Sequence, residues 1–192
     1  MDARELDRLQ ELTSIGAGHA ASAFASLTGQ TFWMGVPHVV KGDEGALAPH
    51  LASGEHWSTG VFFTLDGCVD ALLGLLFHAD ASEAVVRRVV GIEEGEIAPT
   101  WIESALMEVG NIVASHVASA IADTLGERLL PSIPSLAMNR AEQALTEMLE
   151  RGPGLGALRI ECQLIAGSGE LGGLLVFVPT DPLPSPAIGE RG

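Results

Sequence analysis

Basic residues are scarce in this chain of 192 residues, which holds ten Lys and Arg against 25 Asp and Glu. The formal net charge is −15 at pH 7. Because binding to a phosphate backbone needs a basic stripe that releases counterions, this scarcity argues against nucleic acid as a partner. The acidity itself is typical of a solvated surface and indicates no particular function.

The sequence also lacks a long apolar run. Gly, His or a charged residue interrupts each candidate before it reaches the roughly 20 residues that cross a bilayer, so we expect no membrane insertion. The N-terminal stretch MDARELDRLQEL has neither the basic start nor the apolar segment of a secretory signal. We therefore expect a cytoplasmic protein.

Cysteine is rare as well, with two residues in the chain, Cys68 and Cys162, far apart in sequence. Cys162 lies in the strand-like segment RIECQLI. This pattern predicts reduced core thiols in preference to a disulfide or a metal-binding pair.

An internal repeat organises what is present. The segment from Leu9 to Gly29 matches the segment from Leu106 to Gly126 at ten identical positions, without a gap and at a constant offset of 97 residues. The identities are Leu9/Leu106, Glu11/Glu108, Ile15/Ile112, Ala17/Ala114, His19/His116, Ala21/Ala118, Ser22/Ser119, Ala23/Ala120, Ala25/Ala122 and Gly29/Gly126, and Pro37/Pro134 continue the register. Two copies followed by mixed structure predict a pseudo-twofold duplication and not a solenoid.

We expect one domain over residues 1–180, made of two repeats at about 5–91 and 100–178. The tail 181–192 is rich in proline and predicts disorder.

Each copy begins with a predicted helix whose apolar side chains fall on one stripe, which indicates a buried face. The two stripes hold Leu9, Leu12, Gly16, Ala20, Ala23, Phe24 and Leu27, then Ile102, Leu106, Val109, Val113, Val117, Ala120 and Ile121. Gly29 and Gly126 predict the helix C-termini. Close helix packing is the expected reason for tolerating Gly16 and Gly18 inside the first helix.

Strand-like sequence follows each helix, and it predicts an α+β fold: a six-stranded, mainly antiparallel sheet with the two long helices on one face. The predicted strands are Thr31–Val40, His56–Leu65, Cys68–Phe77, Leu129–Met138, Ala157–Ile165 and Gly172–Val178. Gly67 and the stretch 167–169 are typical of hairpin turns. Two further helices are predicted at Ala81–Val90 and Ala141–Arg151.

Three polar residues of the second helix lie on the face opposite its apolar stripe. Ser104, Glu108 and Asn111 are spaced i, i+4 and i+7, so they point to solvent on one side. Exposed Glu and Asn on a helix ordinarily only improve solubility. Here the rest of the face is small, with Ser115 and Ser119, which leaves the carboxylate and the amide accessible to a partner.

The same register recurs in the first helix as Asp7, Glu11 and Ser14, with Pro37 following. Folding alone does not explain why an exposed feature should recur.

These residues carry a family resemblance. The pattern Asp or Ser, three residues, Glu, two residues, Asn, 22 residues and Pro resembles the signature of the CheC, CheX and FliY phosphatases, and Ser104, Glu108, Asn111 and Pro134 satisfy it. In the first copy, Ser14 stands where the family has Asn. The resemblance extends over most of residues 5–178.

The resemblance implies a hydrolase that removes the phosphoryl group from a phosphorylated CheY-like receiver domain in chemotaxis or two-component signalling. Asn111 would position the attacking water, and Glu108 would pair with the regulator's Lys. Ser104 would support the docking face, and Pro134 would fix the loop that carries it. The Mg²⁺ would belong to the response regulator, and the chain would have no cofactor or metal of its own.

The first copy implies a degenerate site. Ser14 has one hydroxyl on a shorter arm than Asn, so it cannot present an amide's paired donor and acceptor. We expect the site of Asp7, Glu11, Ser14 and Pro37 to be weak or inactive. Two interpretations stay open: it binds the regulator through Glu11, or it is a relic of the duplication.

Other candidate residues have ordinary explanations. His19 and His116 are equivalent in the repeat but have no second metal ligand at ligand spacing, which favours structural histidines. His50 and His56 share a loop that lacks a third obvious ligand. The Gly-rich stretch GSGELGG opens no helix and carries no Lys, so it is a weak phosphate cradle.

Two alternatives stay open. The chain is also compatible with a non-catalytic module that binds a phosphorylated receiver. By family analogy it would contact the deamidase CheD, but CheC chains generally carry a helix after the last strand, where this chain has the Pro-rich tail from Asp181. Because that region contributes to the CheD contact in the family, the departure argues against this partner. The sequence leaves open the oligomeric state, the identity of the regulator and the choice between motility and another pathway.

Overall fold

The structure is a computed structural model that describes residues 3–41, 57–151, 158–167 and 171–180. Its helices are α1 (Ala3–Thr28), α2 (Ala79–Val90), α3 (Pro99–Leu125) and α4 (Ala141–Arg151). Its strands are β1 (Phe32–Met34), β2 (His38–Lys41), β3 (Thr59–Gly67), β4 (Ala71–Phe77), β5 (Leu129–Pro131), β6 (Ser135–Ala137), β7 (Leu158–Ala166) and β8 (Leu171–Pro179).

The strands form one antiparallel sheet in the order β1-β7-β8-β4-β3-β5, in which β2 also pairs with β7 and β6 also pairs with β3. The α+β class and the antiparallel sheet are therefore as predicted. The short strands β1 and β2 lie along β7 at one edge of the sheet, and β5 and β6 lie along β3 at the other edge, in equivalent places. The repeat bounds and the extent of the domain stay predictions.

The expected count of six strands is wrong, because the described residues contain eight. Each of the predicted strands Thr31–Val40 and Leu129–Met138 is divided in two near its proline. Proline has no N–H to donate to a strand ladder, so Pro37 and Pro134 interrupt the pairing at that point.

The two long helices lie on one face of the sheet, as predicted, and pack against each other. Their apolar stripes are buried with alternate residues of the central strand β4, namely Leu73, Leu75 and Phe77. Both helices end at glycines in the left-handed conformation, Gly29 at φ 67° and Gly126 at φ 71°. Arg88 of α2 also donates from Nε to the Thr28 carbonyl oxygen at 2.7 Å, which satisfies one of the free carbonyls at the end of α1.

The opposite face of the sheet is covered as well. Leu72 and Leu76 of β4 belong to a second apolar cluster, to which α4 contributes Ala141, Ala144 and Leu145. Every residue of β4 is buried, as expected for a strand covered on both faces. The prediction of α4 as Ala141–Arg151 is confirmed.

Two glycines allow the long helices to pack closely, Gly16 between α1 and α3 and Gly110 between α3 and β3. A Cβ added at Gly16 of α1 would meet Cγ1 of Val117 at 3.0 Å, and one added at Gly110 of α3 would meet Cγ1 of Val61 in β3 at 2.6 Å. Close packing therefore explains Gly16, as predicted. It does not explain Gly18, where an added Cβ would have only the Met34 Sδ atom at 4.0 Å.

By length and composition, α3 is apolar enough to cross a membrane, although Gly, His or charged residues are expected to interrupt every such run. Its mean hydropathy is 1.3, and 56% of the apolar window is buried inside the fold. The same test is passed by the core helix of a globular protein. The apolar residues of α3 are used in packing against the sheet and α1.

Several expectations lie outside the described residues: the loop with His50 and His56, the turn at 168–169, and the tail from Asp181. The expected hairpin at Gly67 is confirmed, since this residue ends β3 at φ 143° just before β4 begins.

A glycine-to-alanine pair tests the packing of α3. We expect Gly110→Ala to lower the free energy of unfolding by about 1–2 kcal/mol, because the stiff Val61 side chain cannot move aside and overpacking outweighs the gain in helix propensity. Gly18→Ala has room and should raise it by about 0.5–1 kcal/mol. Urea unfolding at constant slope measures both, and equal stability of the two variants would contradict the packing assigned to Gly110.

Candidate active site

The predicted site residues of α3 lie on one exposed ridge. Gly110 faces the sheet, so at about 100° per residue the side of α3 that carries Glu108 points away from it. We define the α3 ridge as the residues that follow this line at helical spacing: Trp101, Ser104, Glu108, Asn111, Ser115 and Ser119. All are exposed except Asn111, which is half-buried.

The polar side chains of the ridge are available to a partner. Within the part of the chain that the structure describes, the side chains of Ser104, Glu108 and Asn111 make no hydrogen bond or ion pair. A carboxylate therefore presents four acceptor positions, and one turn further along an amide presents both donors and acceptors. Glu108 is the only charged residue of the ridge.

The loop between β5 and β6 flanks this helix and carries Pro134. Both strands contact α3 and pair with β3, over which Gly110 lies. The loop is held by Ser132, whose N–H donates to the Thr64 carbonyl at 2.8 Å and whose hydroxyl accepts from the Thr64 N–H at 3.0 Å. From the sequence, the fixing of this loop is assigned to Pro134, and Ser132 is missed. The hydrogen bonds of Ser132 could not be foreseen, because their partner lies 68 residues away in the chain.

The hydroxyl of Ser132 also donates to the carbonyl oxygen of Ile133 at 3.0 Å. The side chain of Ile133 beside Pro134 is 89% exposed, so the loop presents an apolar tip next to α3.

On α1 the equivalent residues differ in one respect that bears on chemistry. Asp7 and Glu11 are exposed, and Pro37 lies between β1 and β2, as Pro134 lies between β5 and β6. Ser14 is half-buried, and its hydroxyl donates to the Gln10 carbonyl of the same helix at 2.8 Å. The only donor hydrogen of its side chain is therefore used within the helix. The side chain is also shorter than that of Asn.

Comparison with known proteins finds similarity to one family at this site. The model of the CheC-like family matches residues 102–137, a stretch that contains Ser104, Glu108, Asn111 and Pro134. A Bacillus subtilis (strain 168) protein named CheY-P phosphatase CheC is 27% identical over 149 residues, which cover 76% of this chain and 71% of that protein. The chain is thus similar to the CheC-like family over the stretch that carries the candidate site and to a curated CheC protein over most of its length.

Solved structures of other proteins show the same fold as this chain. FliY of Thermotoga maritima aligns with a TM-score of 0.63 at 15% identity, covering 95% of this chain and 93% of that one. The CheX chain in the CheX-CheY-BeF3-Mg²⁺ complex of Borrelia burgdorferi aligns with a TM-score of 0.60 at 14% identity, covering 88% of this chain and 97% of that one.

The two repeat-related histidines are both exposed and do not belong to the core. His116 is satisfied locally, since its Nδ1 lies 2.8 Å from the Ile112 carbonyl oxygen of the same helix. The described residues contain no group of three His, Cys, Asp or Glu that could hold a metal ion.

The cysteines are free thiols in different surroundings. Cys162 is fully buried, and its Sγ lies 3.3 Å from the Gly35 carbonyl oxygen. Burial raises the pKa of the Cys162 thiol to about 11. Cys68 is half-buried after β3, and burial raises its pKa above 9.0 with a smaller contribution from the charge of Glu127. A raised pKa is the opposite of what a nucleophilic cysteine needs, so neither residue is a candidate catalytic group.

Thiol labelling tests this assignment. At pH 8 we expect Ellman's reagent to modify Cys68 in the native protein, because its sulfur is partly accessible. Cys162 should react only after unfolding, since it is buried and about one thiol in 1000 is ionised when the pKa lies near 11. The Cys68→Ser variant should then show no reaction until denaturant is added. Rapid native labelling of Cys68→Ser would contradict the burial of Cys162.

Proposed function

We propose that this chain is a phosphatase that hydrolyses the aspartyl phosphate of a CheY-like response regulator, acting through α3. The observation that carries the proposal is the α3 ridge, on which the exposed Glu108 and the half-buried amide of Asn111 have no partner among the described residues. The relative named CheY-P phosphatase CheC and the complex of CheX with CheY support the choice of substrate.

The proposed reaction is a simple hydrolysis. The oxygen of a water attacks phosphorus, the bond from phosphorus to the carboxylate oxygen breaks, and the products are the free Asp side chain, inorganic phosphate and a proton released to solvent. The attacking and leaving oxygens must be in line, so the main demand on the phosphatase is to position the water. The Mg²⁺ and Lys that neutralise the phosphoryl charge belong to the receiver in this proposal.

Asn111 is suited to position that water. Its amide oxygen accepts a hydrogen bond from the water, while its NH₂ group donates to a phosphoryl oxygen. The side chain is half-buried, so its rotamers are restricted by the fold before the partner arrives. An ordered side chain loses less entropy on docking, which lowers the barrier of the positioned reaction.

Glu108 has a different proposed role. It lies one turn before Asn111 and carries the only charge of the ridge, so it can pair with the Lys of the receiver and align the helix across the phosphorylation site. It need not transfer a proton. Ser104, one further turn back, is small enough to let the receiver approach.

The α1 site supports a second, non-catalytic role for one half of the molecule. Ser14 keeps its hydroxyl on the Gln10 carbonyl, whereas Glu11 remains exposed and unpaired within the described residues. Such a site would hold a receiver through charge without hydrolysing its phosphate. Binding by the whole protein without any acceleration of phosphate loss would extend this adaptor role to both halves.

Replacement of Asn111 tests the proposed mechanism. We expect Asn111→Ala to slow the decay of a phosphorylated, Mg²⁺-loaded receiver from the same genome by about 100-fold, because positioning is lost. Binding to the receiver should change by less than about threefold, because affinity comes from other contacts. Ser14→Ala is the matched control at the equivalent position of α1 and should keep the wild-type rate.

The phosphatase proposal fails if the wild-type protein binds the phosphorylated receiver and leaves its decay rate unchanged. The assignment to α3 fails if Ser14→Ala, and not Asn111→Ala, loses the activity.

Replacement of Glu108 tests docking. We expect Glu108→Ala to raise the half-saturating receiver concentration about tenfold while the rate at saturation stays close to wild type, since one charged contact at an interface is removed. The wild-type affinity should fall with added salt more steeply than that of the variant. Glu11→Ala, the repeat-related control, should have little effect on either value. A loss of the saturating rate with unchanged affinity in Glu108→Ala would assign this residue to the chemical step instead.

A further inference from the structure

Trp101 is a large apolar side chain that the fold leaves in solvent. It lies in the first turn of α3 and is 58% exposed. Within the described residues its indole takes part in no ring contact or hydrogen bond, although its backbone N–H is fixed to the Ala98 carbonyl at 2.9 Å. Packing among the described residues therefore does not account for a tryptophan at this position.

The other exposed large apolar residues of the described chain lie elsewhere. They are Trp33, Met34, Val36, Leu130 and Ile133, on the short strand pairs at the sheet edges and their loops. Trp101 alone among them lies on a helix. It also lies on the α3 ridge.

The position on the ridge is close to that of Glu108. Seven residues separate them, which on an α-helix is two turns, about 10 Å along the axis and within about 20° of the same direction. Ser104 lies between them and is small. Trp101, Glu108 and Asn111 thus form a line of about 15 Å with an apolar end, a charge and an amide.

The repeat shows that Trp101 is specific to one half. At the offset that aligns Glu11 with Glu108, the residue equivalent to Trp101 is Arg4. The equivalent face of α1 differs from the α3 ridge at four of its six positions, and two of these differences remove the aromatic side chain and the amide. In both cases α3 has a side chain suited to contact a partner, and α1 lacks it.

We propose that Trp101 is the apolar anchor with which the α3 ridge docks the phosphorylated receiver, and that it determines the affinity of this ridge and the preference for α3 over α1. The inference rests on the proposed function, since the occupant is the same receiver. Trp is among the residues that most often carry the binding energy of an interface, because it buries a large rigid surface at little cost in rotamer entropy.

Charge favours a receiver over a second copy of this chain as the occupant. The formal net charge is −15. A twofold contact between two α3 ridges would place the same uncompensated Glu108 on both sides of a shared surface, which opposes association. A receiver that brings a Lys to Glu108 has no such penalty.

The test compares Trp101→Ala with Trp33→Ala. Trp33 is a matched control, because it is 53% exposed but lies on β1, where Phe32 points to the α1 side and Trp33 to the other face of the sheet. Dissociation constants are measured for a receiver carrying BeF3 and Mg²⁺ as the phosphoryl mimic, and decay rates are measured with the phosphorylated receiver at increasing concentration. Urea unfolding of both variants checks that the exposed positions leave stability unchanged.

We expect Trp101→Ala to raise the dissociation constant at least tenfold while the decay rate at saturation stays within about threefold of wild type. Trp101→Phe should restore most of the affinity, since an aromatic ring remains. Trp33→Ala should match wild type in both measurements.

Two other outcomes separate the inference from the function. If wild type binds and dephosphorylates the receiver and Trp101→Ala does both equally well, the anchor is refuted and the phosphatase stands. If wild type neither binds the BeF3-loaded receiver nor accelerates phosphate loss, the proposed function and the anchor are both refuted. Weaker binding by Trp33→Ala to the same extent would also overturn the inference, because exposure of any tryptophan would then suffice.

Discussion

The position of α3 depends on the close contact between Gly110 and Val61. A helix can lie this close to a strand only where it has no side chain between the two backbones, and an added Cβ would be 2.6 Å from the Val61 methyl group. Because Gly110 faces the sheet, its neighbour Asn111, about 100° further round the helix, is half-buried, and Glu108 is turned to solvent. The same residue that seats the helix therefore sets the direction in which the candidate site points.

The sheet beneath α3 is packed on both of its faces. Its central strands are covered on both faces, by α1 and α3 on one side and by a smaller apolar cluster with α4 on the other. That second face also holds a buried ion pair between Arg159 and Glu161, which are 1% and 0% exposed. A buried pair of this kind is weak evidence for stability but restricts how the strand can shift, since either charge would be costly to leave alone.

The two halves of the molecule share a scaffold and differ in surface chemistry. The edge strand pairs, the helix-ending glycines and the proline loops recur in both. Buried positions differ between the halves, as where Thr13 corresponds to Gly110 and Phe24 to Ile121. Outward-facing positions differ as well, where Ser14 corresponds to Asn111 and Arg4 to Trp101, and an exposed position can change without loss of the fold. A duplicated scaffold can thus keep one ridge suited to chemistry while the other departs from it.

The sequence by itself determined the two long helices, their buried stripes, their glycine ends, the antiparallel sheet and the spacing that puts Glu108 and Asn111 on one side of a helix. These features depend on local periodicity, so residues close in the chain suffice to predict them. Only the tertiary structure decided that the edge strands divide at Pro37 and Pro134, that Gly110 and not Gly18 is required by packing, that Ser132 holds the proline loop, and that Ser14 is bonded to its own helix. Each of these depends on which atoms from distant segments meet, and a pattern within one segment carries no record of that distance.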